Sequence, residues 1–146
     1  MPVRPATAAD IPLIMQLERD SPTAAHWSET HYKTLFSESI RLALIIDDVG
    51  FLIAHHIDIE WEIENILVAA NVRRRGLASQ LMRTFLATAR QQNAEYIFLE
   101  VRESNHAAQA FYEKHGFQAS GRRTNYYRTP DEDALTYRLD LPKISD

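Results

Sequence analysis

The sequence predicts a mixed α/β sheet: mostly antiparallel strands in the N-terminal half, one parallel strand–helix–strand crossover, and flanking helices. Three observations carry that reading. Short apolar or alternating runs bounded by turn residues mark strands. Longer stretches repeat their apolar residues at helical spacing. The order is strand, one or two helices, three strands, helix, strand, helix, two strands. The middle three strands then form an antiparallel meander, and the segment after Glu60 forms a parallel crossover. This is a mixed sheet, not a Rossmann domain.

The elements follow in order. "PVRPA" reads as a short first strand, and Thr7 and Asp10 are spaced as a capping box, so a helix should start at Thr7 with Ile11, Ile14 and Leu17 inward. "SPTAAH" is a loop, and Ser28 is placed to cap a second short helix through "ETHYKTLFSES". "RLALII" and "FLIAHHID" pair across the turn "DDVG". "EWEIENILVA" is the next strand, with Glu60, Glu62 and Glu64 alternating with Trp61 and Ile63. The longest helix runs from Leu77 to Gln92 on a stripe of Ala78, Leu81, Met82, Phe85 and Ala89. "AEYIFLEV" carries apolar residues on both faces, as in a covered sheet. "SNHAAQAFYEKHG" is a helix capped by Ser104 or Asn105 and stopped by Gly116. "FQASGRR" and "ALTYRLDL" close the chain as strands.

The 146 residues suit one domain, 1–146, and 45% hydrophobic content suits a packed core. A net charge of -4 gives no basic surface of the kind nucleic acid requires. The chain has no cysteine, which excludes disulfides, thiolate metal sites and a cysteine nucleophile, and fits a reducing cytoplasm. With no apolar leader or spanning run, a soluble, cytoplasmic protein without membrane association is expected. The six histidines do not group: His55 and His56 point to opposite faces of a strand, so no metal is expected.

"NVRRRGLASQLM" poses a problem, because three adjacent arginines repel one another at the positive end of a helix. An anion resolves it. Unpaired N–H groups open the helix, Gly76 leaves them unshielded, and the arginines add forked donors. The sum is a phosphate site, best matched by a pyrophosphate. No Gly-Lys-Ser/Thr loop and no G-x-G-x-x-G occurs, and the chain has only four glycines.

"RRRGLA" fits the Q/R-x-x-G-x-G/A pattern of the GNAT superfamily of acetyltransferases, with Arg73, Gly76 and Ala78 in the fixed places. "LEVRESNHAAQAFYEKHGF", "RRTNYYR" and "WSE" resemble the branch that acetylates the N-terminal alanine of bacterial ribosomal proteins. The resemblance runs from about Arg4 to Leu141 and is strongest from Asn65 to Tyr127. It implies the GNAT fold and acetyl-CoA as cosubstrate. The pyrophosphate would be held by Arg73, Arg74, Arg75, Gly76, Leu77, Ala78 and Ser79, and the pantetheine arm by the backbone of Ile66, Leu67 and Val68. A backbone N–H near Val68 would polarise the thioester carbonyl, and Asn105 would contact the coenzyme as well as cap its helix.

The chemistry needs a neutral amine and a proton for the departing thiolate. Freeing the base form at pH 7 costs about 1 kcal/mol for an α-amine and about 4.6 kcal/mol for lysine. A modest base therefore suffices for a protein N-terminus. Glu100, the lone charge of "YIFLEV", is the candidate general base; the bland reading pairs it with Arg102 or Arg122. Glu62 or Glu64 is the alternative base. The resemblance makes Tyr112 the general acid; a core tyrosine is the plainer reading. Glu62, Glu64, Trp27, Tyr126 and Tyr127 are candidates for peptide recognition, and a basic ribosomal-protein tail would be steered toward a net-negative enzyme. A lysine, polyamine or drug-like acceptor, and a silent coenzyme-binding module, stand as alternatives.

Overall fold

The computed structural model describes residues 2–21, 27–73, 75–128 and 130–142. Most of the expected "SPTAAH" loop and Arg74 lie outside them. Seven strands, β1 (Val3–Pro5), β2 (Arg41–Ile46), β3 (Gly50–Ile57), β4 (Glu60–Val68), β5 (Tyr96–Arg102), β6 (Gln118–Tyr127) and β7 (Glu132–Asp140), form one sheet. The helices are α1 (Ile11–Arg19), α2 (Glu29–Phe36), α3 (Leu77–Gln91) and α4 (His106–Lys114). Spatial order is β1-β2-β3-β4-β5-β7-β6, and every pair is antiparallel except β4 with β5. The meander and the crossover are as the sequence predicts. None of the described helices is long and apolar enough to cross a membrane.

Local signals set most boundaries. The Thr7 backbone N–H donates to the Asp10 carboxylate at 2.8 Å, but the turn it closes is a 3-10 turn, and α1 starts only at Ile11. Ser28 Oγ accepts from the His31 N–H at 3.1 Å, and Asn105, not Ser104, caps α4. Asp47 and Asp48 both take positive φ, which turns β2 into β3 within three residues.

The sheet separates two cores. On one face α3 and α4 pack Leu81, Met82, Phe85 and Tyr112 over Trp61, Ile97, Leu99 and Tyr137. On the other, Ile14, Leu17, Tyr32 and Leu35 of α1 and α2 cover Ile45, Phe51, Ile53 and Leu67. Strand β4 serves both cores through a bulge. Ile53 pairs with Asn65 and Ala54 with Ile63, so Glu64 is an extra residue. Trp61 and Ile63 face α3, and strict alternation would send Asn65 and Leu67 the same way. The bulge reverses the parity, so that Ile66 and Val68 join the α3 core and Leu67 joins the opposite one. Asn65 then points at α1, where its amide donates to Glu18 Oε1 at 3.0 Å beside the Tyr32 hydroxyl, which donates to the same oxygen.

Two expectations are corrected. Strand β5 is not covered on both faces. Ile97, Leu99 and Val101 are buried, whereas Tyr96, Phe98, Glu100 and Arg102 are half-buried, because α1 and α2 pack over β2 to β4 and stop short of β5. Strand β6 does not end at Arg123. It continues to Tyr127 through a second irregularity, where Arg123 pairs with Ala134 and Tyr127 with Glu132, and Asn125 takes φ 54°. The Asn125 N–H donates to Asp133 Oδ1 at 2.9 Å and holds that loop against β7.

Trp61 is 1% exposed, lies 4.4 Å from the His56 ring and 5.9 Å from Phe85, and leaves its indole N–H without a hydrogen bond. Trp61→Ala should therefore lower unfolding free energy by about 3–5 kcal/mol. Trp61→Phe should cost less than half of that, since it keeps the ring and removes the unpaired donor. Urea denaturation measures both.

Candidate active site

The parallel pair β4–β5 holds for only three residue pairs, Glu60 with Tyr96, Trp61 with Ile97 and Glu62 with Phe98. Beyond them the strands part, and β4 runs on to Val68 without a partner on that side. The gap opens a cavity of about 900 Å³ that passes from the α3–α4 face to the opposite face of the sheet. Ile66, Leu67, Val68, Arg73, Ala78, Asn105 and Tyr112 line it, as do Glu64, Glu100, Tyr126 and Tyr127.

On the α3–α4 side lies the turn where the sequence predicts an anion site. Gly76 caps α3 with φ 74°, ψ 15°, and no side chain caps the first turn, which holds no acidic residue. A Cβ at Gly76 would meet nothing within 4 Å, so the space before the helix is open. Arg73 Nε donates to the Val68 carbonyl at 3.2 Å, which ties the loop to the end of β4. Neither Arg73 nor Arg75 has a carboxylate partner among the described residues. Leu77 is buried in the core, and the Ser79 hydroxyl turns away to His115 Nε2 at 3.0 Å, so these two can offer only backbone N–H groups. Asn105 Oδ1 accepts the Ala108 N–H at 3.1 Å, leaving its amide nitrogen for the cavity it lines.

Tyr112 is the one buried residue of α4. Its hydroxyl has no hydrogen-bond partner among the described residues, and the residue lines the cavity. Burial first, and the nearby Tyr127 second, push this phenol above its usual range, so it stays protonated at neutral pH.

Carboxylates gather on the opposite face. Glu100 has a side chain 9% exposed, its Oε1 lies 3.5 Å from Arg123 Nη1, and its Oε2 is buried without a hydrogen bond. Burial raises this carboxyl and Arg123 partly offsets the rise. Glu62 is raised as well, first by burial, with Glu100 and Glu64 adding repulsion against His55 and Arg123. His55 sits 3.4 Å from Glu62 and 3.2 Å from Glu64, and Arg41 lies 3.2 Å from Glu64. The β6 irregularity turns Tyr126 and Tyr127 into the cavity, with ring centroids 5.1 Å apart. Burial, with Glu100 next, pushes Tyr127 up to about 12.

Of the predicted residues, Trp27 is not at the cavity. It packs with the α1–α2 core, 4.7 Å from His31 and 5.6 Å from Tyr32, where an aromatic at the start of α2 finds apolar partners. Glu62 stands near the cleft through Glu100, not in its lining. The partner of Glu100 is neither Arg102 nor Arg122. Arg102 is held by Glu132 and two carbonyls, and Arg122 by Glu103 and Asp133. Arg123 was missed because strand parity decides it. Glu100 pairs with Thr136 and Thr136 with Gly121, so Arg123, two residues on, shares the Glu100 face and Arg122 does not.

Residues 11–117 match the Acetyltransferase (GNAT) family. The chain is 34% identical over 143 residues to the ribosomal protein bS18-alanine N-acetyltransferase of Salmonella typhimurium, covering 92% of this chain and 94% of that one. It is 41% identical over 81 residues, 56% of this chain and 49% of the other, to an N-alpha-acetyltransferase of Mycobacterium tuberculosis. Its fold superposes on the crystal structure of the ribosomal-protein-S18-alanine N-acetyltransferase from Escherichia coli with a TM-score of 0.88 at 27% identity, covering 99% and 96% of the two chains. The chain belongs to the GNAT family of acetyltransferases. Within it the resemblance is to the ribosomal-protein-alanine N-acetyltransferases.

Gly76→Ala tests the anion site. The left-handed φ makes alanine cost about 1–2 kcal/mol of stability, read by urea denaturation. Affinity for acetyl-CoA, read by calorimetry, should fall by about tenfold or more, roughly 1.4 kcal/mol, because alanine strains the left-handed turn that leaves the first-turn N–H groups open.

Proposed function

We propose that the protein transfers the acetyl group of acetyl-CoA directly to the N-terminal α-amine of a protein, with the N-terminal alanine of a ribosomal protein as the acceptor. The observation that carries this reading is the parting of β4 and β5, which leaves the β5-side edge of Ile66 to Val68 without a strand partner, between Tyr112 on one face and Glu100 on the other.

Acetyl-CoA supplies a thioester on a pantetheine arm with two amides, and a pyrophosphate. The residues present fit these groups. The unpaired edge of β4 matches the amides as an added strand would, and the Gly76 turn with Arg73 and Arg75 matches the pyrophosphate. Leu77, Ala78 and Ser79 contribute first-turn N–H groups there, with Arg74 the third arginine of the same run. Asn105 is proposed as a further coenzyme contact. The N–H near Val68 polarises the acyl carbonyl.

Glu100 takes one proton from the acceptor's ammonium. Its burial raises its proton affinity toward that of an α-amine, which shrinks the penalty for the transfer. Tyr112 donates its proton to the departing sulfur as the C–S bond breaks, and the second proton shed by the acceptor nitrogen restores the phenol. Tyr126 and Tyr127 wall the acceptor's path, and Glu62 and Glu64 draw a cationic N-terminus toward it.

With acetyl-CoA and a peptide bearing a free N-terminal alanine and an internal lysine, mass spectrometry should place the acetyl on the N-terminus. Acetylation at lysine alone would refute the proposed acceptor. Tyr112→Phe should lower kcat by about 10²-fold or more with acetyl-CoA affinity unchanged; a collapse of affinity would make the tyrosine structural. Glu100→Gln should lower kcat by about 10²–10⁴-fold. Stability should move the other way. A raised carboxyl favours folding below the ordinary glutamate range and loses that contribution as pH rises through its folded value, so at pH 7 ionised Glu100 is a cost that glutamine removes. Thermal unfolding at pH 7 should therefore show the Glu100→Gln variant at least as stable as the parent.

A further inference from the structure

A loosely held cation sits on the most buried carboxylate of the cleft. Glu100 has one ion partner among the described residues, Arg123 at 3.5 Å, and that arginine is 59% exposed. The flanking arginines are tied down. Arg122 lies 2.9 Å from Glu103 and 2.8 Å from Asp133, while Arg102 bonds Glu132 and the carbonyls of Arg128 and Pro130 at 3.2 Å each. Arg123 makes one long contact, and its guanidinium lies 5.2 Å from the Tyr126 ring centroid. Tyr126 is itself 48% exposed at the cavity wall. Gly121, level with Glu100 across β7, carries no side chain, so β6 offers nothing beside Glu100 to fasten Arg123 there.

We propose that Arg123 is a stand-in for the acceptor's ammonium: it neutralises Glu100 in the free protein and, when a cationic amine takes its place, swings off Glu100 while keeping the Tyr126 ring it already lies over. The proposal rests on Glu100 as the proton acceptor. Its physical basis is that a carboxylate this buried needs a counter-ion at all times. A tightly bound arginine would bar the acceptor, and no arginine would leave the charge alone. A single loose contact with an aromatic landing site satisfies both demands, since a guanidinium over a ring keeps part of its stabilisation after leaving. The exchange selects acceptors. A cationic amine can replace Arg123, whereas an uncharged amine leaves it seated. It also times the chemistry: once Arg123 withdraws, the entering ammonium is the one cation left on Glu100, and its proton passes to the carboxylate.

The test compares Arg123→Gln and Arg123→Lys with the parent, using an alanine-initiated peptide and acetyl-CoA. Other charged or titratable groups near Glu100 are Glu62 and Glu64 on β4, His55 on β3, Arg102 on β5, Tyr126 and Tyr127 on β6, and Glu132 on β7; both variants keep them. Arg123→Gln should lower KM for the peptide about threefold or more, because the acceptor no longer displaces a resident cation. It should also move the acid limb of kcat/KM, and the carboxyl midpoint of Glu100 followed by NMR in the free protein, upward by about half a unit or more. Arg123→Lys should restore all three toward the parent. A raised KM, or an NMR midpoint that does not move, overturns the proposal and leaves Arg123 as a support for Tyr126. If Glu100→Gln keeps full kcat, the assignment of the base fails; the KM and NMR readings on Arg123→Gln still decide whether the cation exchange occurs.

Discussion

The structure depends on a hydrogen-bond ladder that stops. Two parallel strands joined for three pairs and then separated leave a row of backbone donors and acceptors on β4 facing a cavity. Such groups are costly to leave unpaired, and the proposed ligand, which carries amides at strand spacing, would pair with them. The neighbouring elements keep it open. Helix α3 begins at the end of β4 and α4 at the end of β5, so both helices stand over the fork, and the bulge at Glu64 turns Ile66 and Val68 into the α3 core to anchor the exposed edge.

The two mouths of this gap differ in charge. Arg73, Arg75 and the start of α3 lie on one side; on the other, Glu62, Glu64 and Glu100 outnumber the arginines that meet them, Arg41 and Arg123. A net charge of -4 conceals this separation, because it averages over a sheet that keeps the two groups apart. The polarity suits the proposed reaction, in which an anionic donor and a cationic acceptor approach from opposite faces and meet where the strands part. Tyr112 and Glu100 divide along the same line. The phenol is on the α3–α4 side, where a leaving group would be, and the carboxylate is on the side from which an amine would arrive.

What could be read in the sequence was local. The arginine–glycine turn, the helix start behind it, the Asp47–Asp48 turn and the caps at Ser28 and Asn105 are each set by a few adjacent residues, and the structure holds them where they were expected. Glu100 was visible as a lone charge in an apolar strand. Trp27 was misplaced because an aromatic near a helix start gives no sign of which way it turns, and packing with Tyr32 settled that. Strand β6 runs past the "FQASGRR" segment because Asn125 takes positive φ inside an irregular stretch that pairs again at Tyr127, which sequence alternation does not show.

The sequence alone determined the element order, the antiparallel meander, the crossover and the glycine turn that opens α3, since periodicity and capping act over a few residues. Tertiary structure decided the rest: that β7 lies between β5 and β6, that β4 changes face at Glu64, and that Arg123 rather than Arg102 or Arg122 meets Glu100. These outcomes turn on strand neighbours and register. A shift of one residue sends a side chain to the other face of a sheet, and only the assembled sheet fixes that register.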